Sequence, residues 1–150
     1  MPRPHKPETG LFILRIALGL VFFLHGWSKL FGHQISFIKE MLTMAGWTLP
    51  DGLLWFVAVL ELLGGLALLL GFFTRTAALL LVLEMLVAVI LFHVRQGFFI
   101  VAIPNAPLAY GFEFHVALIG GLLCTMLGGP GRWTLEIKLA ERRGETADEL

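Results

Sequence analysis

The chain alternates between long apolar runs and short polar segments. Four windows are mostly apolar: residues 11–31, 53–73, 76–96 and 110–129. A helix that crosses the hydrocarbon core of about 30 Å needs about 20 such residues, because each residue rises about 1.5 Å. The fourth window is the weakest, since its cleanly apolar part covers only residues 116–127. The pattern predicts an all-α integral membrane protein, a four-helix bundle with short loops.

Composition points to the same class. Of the 150 residues, 57% are hydrophobic and 15% are charged, whereas a soluble domain has about 45–50% apolar and about 25% charged residues. The formal net charge is zero, so nothing favours a nucleic-acid partner. Cys124 is the single cysteine, which excludes an intrachain disulfide or dithiol centre. The expected partner is the lipid bilayer, which the chain is expected to cross several times.

Lys and Arg set the predicted orientation. Most of them lie on the side that, with four crossings, holds both termini and the 74–75 turn. The positive-inside rule therefore predicts that both termini are cytoplasmic and that the loops 32–52 and 97–109 face outward. Residues 1–10 are predicted to be a disordered cytoplasmic arm, residues 11–136 the membrane domain, and residues 137–150 a polar cytoplasmic tail.

Several ionisable residues interrupt the apolar runs. In the predicted topology five of them fall in the outer half of the bundle: His25, Lys29, Glu61, His93 and Glu113. An ionisable residue in a membrane helix is by default a hypothesis of function. At about 100° per residue, Glu113 shares a face with a stripe of small residues suited to close packing, so it is predicted to point inward. His115 lies about 200° away and is a poorer candidate.

A structural explanation competes with the functional one. Buried ion pairs, Lys29 with Glu61 and Arg15 with Glu84, could fix the order of the helices. Glu84 could instead face a neighbouring subunit. Glu84 and His93 are about 180° apart on a regular helix and cannot face one centre unless that helix is distorted. Histidine beside carboxylate can instead pass protons or hydrogen-bond a quinone carbonyl. A metal site is disfavoured, because no HxxxH or HExxH spacing occurs.

Four stretches in order carry a resemblance to a known family. They are "RIALGLVFFLHGWSKLFG", "LELLGGLALLLGFFTRTAALLLVLEMLVAVILFHVRQGFF", "GFEFHVALIGGLL" and "GGPGRWTLE". Over residues 11–136 the chain resembles the DoxX family of small bacterial four-helix membrane proteins. The resemblance implies a component of a membrane oxidoreductase system. Relatives include a subunit of an archaeal thiosulfate:quinone oxidoreductase and a mycobacterial protein that links a superoxide dismutase to a thiosulfate sulfurtransferase.

The resemblance also indicates which polar residues of this chain match the family pattern. The matching polar residues are Arg15, His25, Lys29, Glu61, Arg75, His93 and Glu113. Two features depart from the family pattern: Glu84, where the family has uncharged residues, and the long apolar loop "FFIVAIPNAPLAYGFEF".

These positions define the predicted site. We expect a polar pocket near the outer face that holds a quinone or a sulfur compound. Glu61 and His93 are the predicted catalytic, proton-relaying residues. His25, Lys29 and Glu113 are the predicted ligand-binding residues, and Arg15 with Glu84 the structural ion pair. No redox cofactor motif is encoded, so electrons must come from the ligand or from a partner protein.

Two other classes of function stay open. A non-catalytic scaffold that assembles partner proteins would explain the glycine-rich helix faces and the missing electron carrier. A small-solute transporter is a third alternative, with buried His and Glu on its pathway. Glycine-rich surfaces also favour a homo-oligomer or a complex with other membrane or redox subunits.

Overall fold

The protein is built from helices. The computed structural model describes residues 7–44, 46–100 and 111–143, and within these ranges it contains no β-strand. The helices are, in order, α1 (Pro7–Phe31), α2 (Gln34–Met44), α3 (Asp51–Leu70), α4 (Thr74–Ala88), α5 (Glu113–Gly128) and α6 (Leu135–Arg143). α4 continues into a π-helical turn, Val89–His93, and a 3-10 turn, Val94–Gln96. The predicted all-α class is confirmed.

Among the described residues, three helices are long and apolar enough to cross a membrane. They are Pro7–Phe31, Asp51–Leu70 and Thr74–Gln96. α5 is apolar as well but has 16 residues, about 24 Å of helix, which is shorter than a hydrocarbon core of about 30 Å. Three helices are therefore candidate spans, and a fourth crossing by α5 stays a prediction, as does the cytoplasmic location of both termini.

The ends of the chain differ slightly from expectation. α1 begins at Pro7, so the last four residues of the predicted arm are helical. α6 covers the start of the predicted polar tail and ends at Arg143. The rest of the arm, 1–6, and of the tail, 144–150, lie outside the described residues, as does the middle of the long apolar loop, 101–110.

The segment between α1 and α3, predicted as an outer loop, contains the short helix α2. Ile35, Ile38 and Leu42 recur at helical spacing, and Leu42 is 2% exposed. An amphipathic helix of this length can lie at the surface of a bilayer with its apolar face toward the bundle. α2 thus covers the end of the bundle where α1 ends and α3 begins.

Glycines bring α1 and α3 into backbone contact. A Cβ atom on Gly26 would lie 2.7 Å from Leu62 Cα and 2.8 Å from the Ala58 carbonyl oxygen. A Cβ atom on Gly65 would lie 2.7 Å from Phe23 Cα. Only glycine allows two helix backbones to approach so closely, and small residues are how membrane helices pack. This contact fixes the register of α1 against α3 and hence of the polar side chains that follow.

The core is apolar and lies between α1, α3, α4 and α5. Its most buried large side chains are Phe22, Leu68, Leu81 and Leu122, each at most 1% exposed. Many large apolar side chains on the outer faces are instead exposed; Ile90, for example, is 66% exposed. An outer surface this apolar is suited to contact with lipid tails rather than water.

Candidate functional site

An ion pair joins α1 to α3 near the α2 end of the bundle. Lys29 Nζ lies 2.6 Å from each carboxylate oxygen of Glu61. The Glu61 side chain is 3% exposed and that of Lys29 is 17% exposed. Lys29 follows Gly26 by nearly one turn and Glu61 precedes Gly65 by one turn, so the glycine contact places the two groups together. The opposite charges expected at similar depth are therefore paired.

The pair borders a large cavity. Its volume is about 570 Å³, within the range of about 300–1,000 Å³ that is typical of small-molecule sites. Side chains from five helices line it, and most are apolar, among them Phe22, Phe56 and Phe92. The ionisable side chains in the lining are His25, Lys29, Glu61, Glu84, His93 and His115. An apolar chamber with a few polar groups is suited to an amphipathic molecule.

A distortion of the helix brings His93 to this cavity. The π-helical turn holds one more residue than a regular turn. His93 therefore sits about 80° from Glu84 around the helix axis rather than the 180° of a regular helix. His93 Nδ1 donates a hydrogen bond to the Ala88 carbonyl oxygen at 3.1 Å, a bond across five residues. Both His93 and Glu84 consequently line the same space.

The three histidines that line the cavity, His25, His93 and His115, differ in their hydrogen bonds. The rings of His93 and His115 lie side by side, with centroids 4.0 Å apart. His115 Nδ1 is buried and has no hydrogen-bond partner among the described residues. His25 Nδ1 donates to the Val21 carbonyl oxygen at 2.8 Å. In a neutral His25 or His93, the Nδ1 bond leaves Nε2 as a hydrogen-bond acceptor.

The cavity thus combines hydrogen-bond donors and acceptors. Lys29 supplies a charged donor, and the histidines supply acceptors. No group of three or more His, Cys, Asp or Glu side chains in residues 7–44, 46–100 and 111–143 is arranged to hold a metal ion. The groups that line the cavity can form hydrogen bonds and exchange protons.

Comparison with known proteins identifies the family. The DoxX family model matches residues 10–94, more than half of the chain. The chain belongs to the DoxX family. The matched region contains the α1–α3 glycine contact, the Lys29–Glu61 pair and the π-helical turn, and it ends just after His93.

Curated relatives agree with this assignment. The chain is 29% identical to "Inner membrane protein YqjF" of Escherichia coli over 86% of its own length and 91% of that protein. It is 37% identical to an uncharacterized protein of Haemophilus influenzae over 88% of this chain and 92% of that one. It is 30% identical to "Putative oxidoreductase CatD" of Bacillus subtilis, over 75% and 81% of the two chains. No solved structure matches. This DoxX protein is a multi-pass protein of a bacterial inner membrane.

Glu113 lies apart from the cavity of this DoxX protein. Its Oε1 accepts a hydrogen bond from the Ile100 backbone N–H at 3.1 Å, and its side chain is not among those that line the cavity. The expectation that the small-residue face of α5 points inward holds only in part. A Cβ atom on Gly121 would lie 3.3 Å from Leu18 of α1 and one on Gly128 would lie 2.8 Å from Leu11, whereas a Cβ atom on Gly120 would meet no described residue of another element within 4 Å and Cys124 is exposed. The buried face of α5 carries larger residues, Leu118, Leu122 and Thr125.

His115 occupies the position in the cavity that the sequence pattern predicts for Glu113. It precedes Leu118 by three residues and so shares the buried face of α5. The spacing of His115 with the larger residues Leu118 and Leu122 is the sequence signal for this face, and the small residues between them obscure it.

Arg15 and Glu84 do not form the predicted ion pair. Arg15 is fully buried, and its Nη2 donates to the backbone carbonyls of Arg132 and Trp133 at 3.4 and 3.3 Å. Its guanidinium also packs against Gly71, where the left-handed backbone (φ 66°) ends α3. Arg15 therefore ties the segment before α6 to the α3–α4 turn, and Glu84 belongs to the cavity at the other end of the bundle.

Proposed function

We propose that this DoxX protein binds a quinone in the cavity and acts as a component of a membrane oxidoreductase system. The observation that carries the proposal is the placement of ionisable groups from α1, α3, α4 and α5 around one largely apolar chamber of about 570 Å³. A quinone matches both parts of that chamber, since its ring and tail are apolar and its oxygens form hydrogen bonds.

The walls of the cavity favour a ligand that arrives through the bilayer. Several lining side chains on α3 and α4 are exposed rather than enclosed: Phe56 at 61%, Leu83 at 52% and Val87 at 53%. Entry on this side would bring a lipid-soluble molecule to the cavity without crossing the polar ends of the bundle. By the distribution of Lys and Arg, the cavity lies in the outer half of the membrane.

The polar groups supply the two kinds of contact that a quinone cycle needs. A quinone carbonyl accepts hydrogen bonds, for which Lys29 is a donor, and a quinol hydroxyl donates them, for which the imidazole of His25 is an acceptor. Glu61 and His93 are the proposed proton carriers between the ligand and the outer surface. Glu113 is left out of the binding set, because its carboxylate bonds the Ile100 backbone.

Electrons must come from outside the chain's own residues. No redox cofactor motif occurs in the sequence, and amino-acid side chains of this kind do not carry electron pairs at the potentials of quinones. We propose that a partner protein or a sulfur-containing reductant supplies them. The name of the Bacillus subtilis relative, an oxidoreductase, supports this class of role.

Quinone content of the purified protein tests the proposal. The protein is extracted from quinone-containing membranes, and bound quinones are quantified by liquid chromatography and mass spectrometry. We expect close to one quinone per chain for the wild type. Ala88 lines the cavity, so Ala88→Phe fills it and should abolish most of the quinone binding. Ala117 lies on the exposed face of α5, so Ala117→Phe should keep the quinone content of the wild type.

Two outcomes would contradict the proposal. One is a wild-type protein that carries no quinone and binds none when it is added to nanodiscs. The other is equal quinone content in the Ala88→Phe and Ala117→Phe variants. A stoichiometric partner protein without quinone would favour the scaffold role instead.

A further inference from the structure

Among the described residues, the cavity is lined by two carboxylates, Glu61 and Glu84. The sequence pattern predicts an ion pair of Glu84 with Arg15, which the structure does not contain. Glu84 lines the chamber from α4, whereas the Lys29–Glu61 pair lines it from α1 and α3. Glu84 Oε2 is buried, and neither a hydrogen-bond partner of this atom nor an ion pair of Glu84 is present in the described part of the chain. Glu84, Glu61 and Lys29 line the same cavity. The carboxyl group of Glu84 thus lies in the same chamber as the ion pair without belonging to it.

The charges around the cavity indicate what Glu84 can be. Lys29 and Glu61 cancel each other at 2.6 Å. Lys29 is the only Lys or Arg among the described lining residues, so an ionised Glu84 would add a negative charge that only a protonated histidine could balance. Such a charge is costly in a membrane chamber with apolar walls. A carboxyl group that is buried without a compensating charge is more stable in its neutral, protonated form. A protonated carboxyl group carries one O–H donor and retains an acceptor oxygen.

We propose that Glu84, in its protonated form, contacts the polar end of the ligand, donates a hydrogen bond to a neutral acceptor such as a carbonyl oxygen, and so selects neutral ligands. This rests on the proposed quinone site and adds a specificity-determining residue to it. Lys29 and Glu61 then hold the opposite wall, and Glu84 supplies the donor from the α4 side. Cationic ligands are selected against, because Glu61 is neutralised by Lys29 and Glu84 by its own proton.

Two substitutions separate hydrogen bonding from charge. Glu84→Gln keeps a donor and the side-chain shape, and Glu84→Leu keeps the volume and removes the donor. With a soluble short-chain quinone titrated into detergent-solubilised protein, we expect Gln to stay within about threefold of the wild-type affinity and Leu to bind about tenfold more weakly. Glu113 begins α5 and does not line the cavity, so Glu113→Gln serves as the control and should leave the quinone affinity unchanged.

Infrared difference spectroscopy reads the protonation state directly. The wild type should show the carbonyl band of a protonated carboxylic acid that shifts when quinone is added. Glu84→Gln should remove that band and Glu113→Gln should keep it. A carboxylate band in its place, or stronger binding of a lipophilic cation than of quinone, would overturn the proposal.

The two proposals fail in different ways. A wild-type protein that binds no quinone rejects the proposed function and this inference with it. A wild-type protein that binds quinone, with Glu84→Leu equal to the wild type in affinity, rejects only the role of Glu84.

Discussion

Removing either partner of the Lys29–Glu61 pair should be far more costly than removing both. Glu61 is almost fully enclosed and Lys29 mostly so, and the pair is bonded at 2.6 Å. Truncation of one partner leaves the other charge buried, which costs about 3–5 kcal/mol in such pairs, whereas replacement of both by neutral groups is close to neutral. We therefore expect Lys29→Met and Glu61→Gln each to lower the unfolding free energy by about 3 kcal/mol, and the double variant by less than about 1 kcal/mol.

The chain contains a matched control for this cycle. Lys39 Nζ lies 2.6 Å from Asp51 Oδ1, the same separation, but the two side chains are 53% and 63% exposed. Exposed pairs contribute about 0–1 kcal/mol. The corresponding cycle, with Lys39→Met and Asp51→Asn, should give a coupling energy below about 1 kcal/mol.

Reversible unfolding in mixed micelles, followed by circular dichroism, measures the variants of both cycles under one set of conditions. The coupling energy of the buried pair should exceed that of the exposed pair by at least about 2 kcal/mol. Equal coupling energies would refute the reasoning, because they would mean that water reaches Glu61 as freely as it reaches Asp51. The cavity would then not be the apolar chamber on which ligand binding depends.

Three further predictions follow from the packing. Gly26→Ala forces the backbones of α1 and α3 apart and should cost at least about 2 kcal/mol by the same unfolding assay. Gly120→Ala, whose added Cβ atom meets no described residue of another element within 4 Å, should be neutral or stabilising by up to about 1 kcal/mol. Deletion of Ile90 removes the extra residue of the π-helical turn yet keeps His93 on the cavity side, so quinone affinity should change less than about threefold. Arg15→Met removes the hydrogen bonds to two backbone carbonyls before α6, and trypsin should cleave that segment faster in purified protein.

Each of these has a contradicting result. Similar stabilities of the two alanine variants would mean that the glycine contact between α1 and α3 does not control stability. Loss of quinone binding in a well-folded Ile90 deletion would mean that the π-helical turn is itself part of the site. Unchanged proteolysis in Arg15→Met would mean that other contacts hold the C-terminal segment.

The sequence is sufficient for the parts of the fold that the bilayer dictates. A lipid environment leaves a helix as the only stable form for an isolated apolar run of about 20 residues. The predicted windows accordingly match α1, α3, α4 with its extension to Gln96, and α5, apart from a few residues at the ends. The Lys29–Glu61 contact could be predicted as well, because the two opposite charges lie at similar depth on helices that pack together.

Local packing sets the limits of prediction. The turn at 89–93 breaks the rule of 100° per residue, so the position of His93 relative to Glu84 could not be calculated from spacing. Arg15 bonds backbone carbonyls, and such acceptors have no signature in the sequence. Pairing by charge alone therefore assigns Arg15 to Glu84, and that assignment is wrong.

Photolabelling with a light-activated quinone analogue tests the presence of a quinone site in this cavity most directly. In nanodiscs, the label should attach to lining residues such as Phe22, Val57 and Met85, and excess unlabelled quinone should suppress it. Label that spreads over surface residues such as Ile13 and Leu127, and that resists competition, would contradict a quinone site in this cavity.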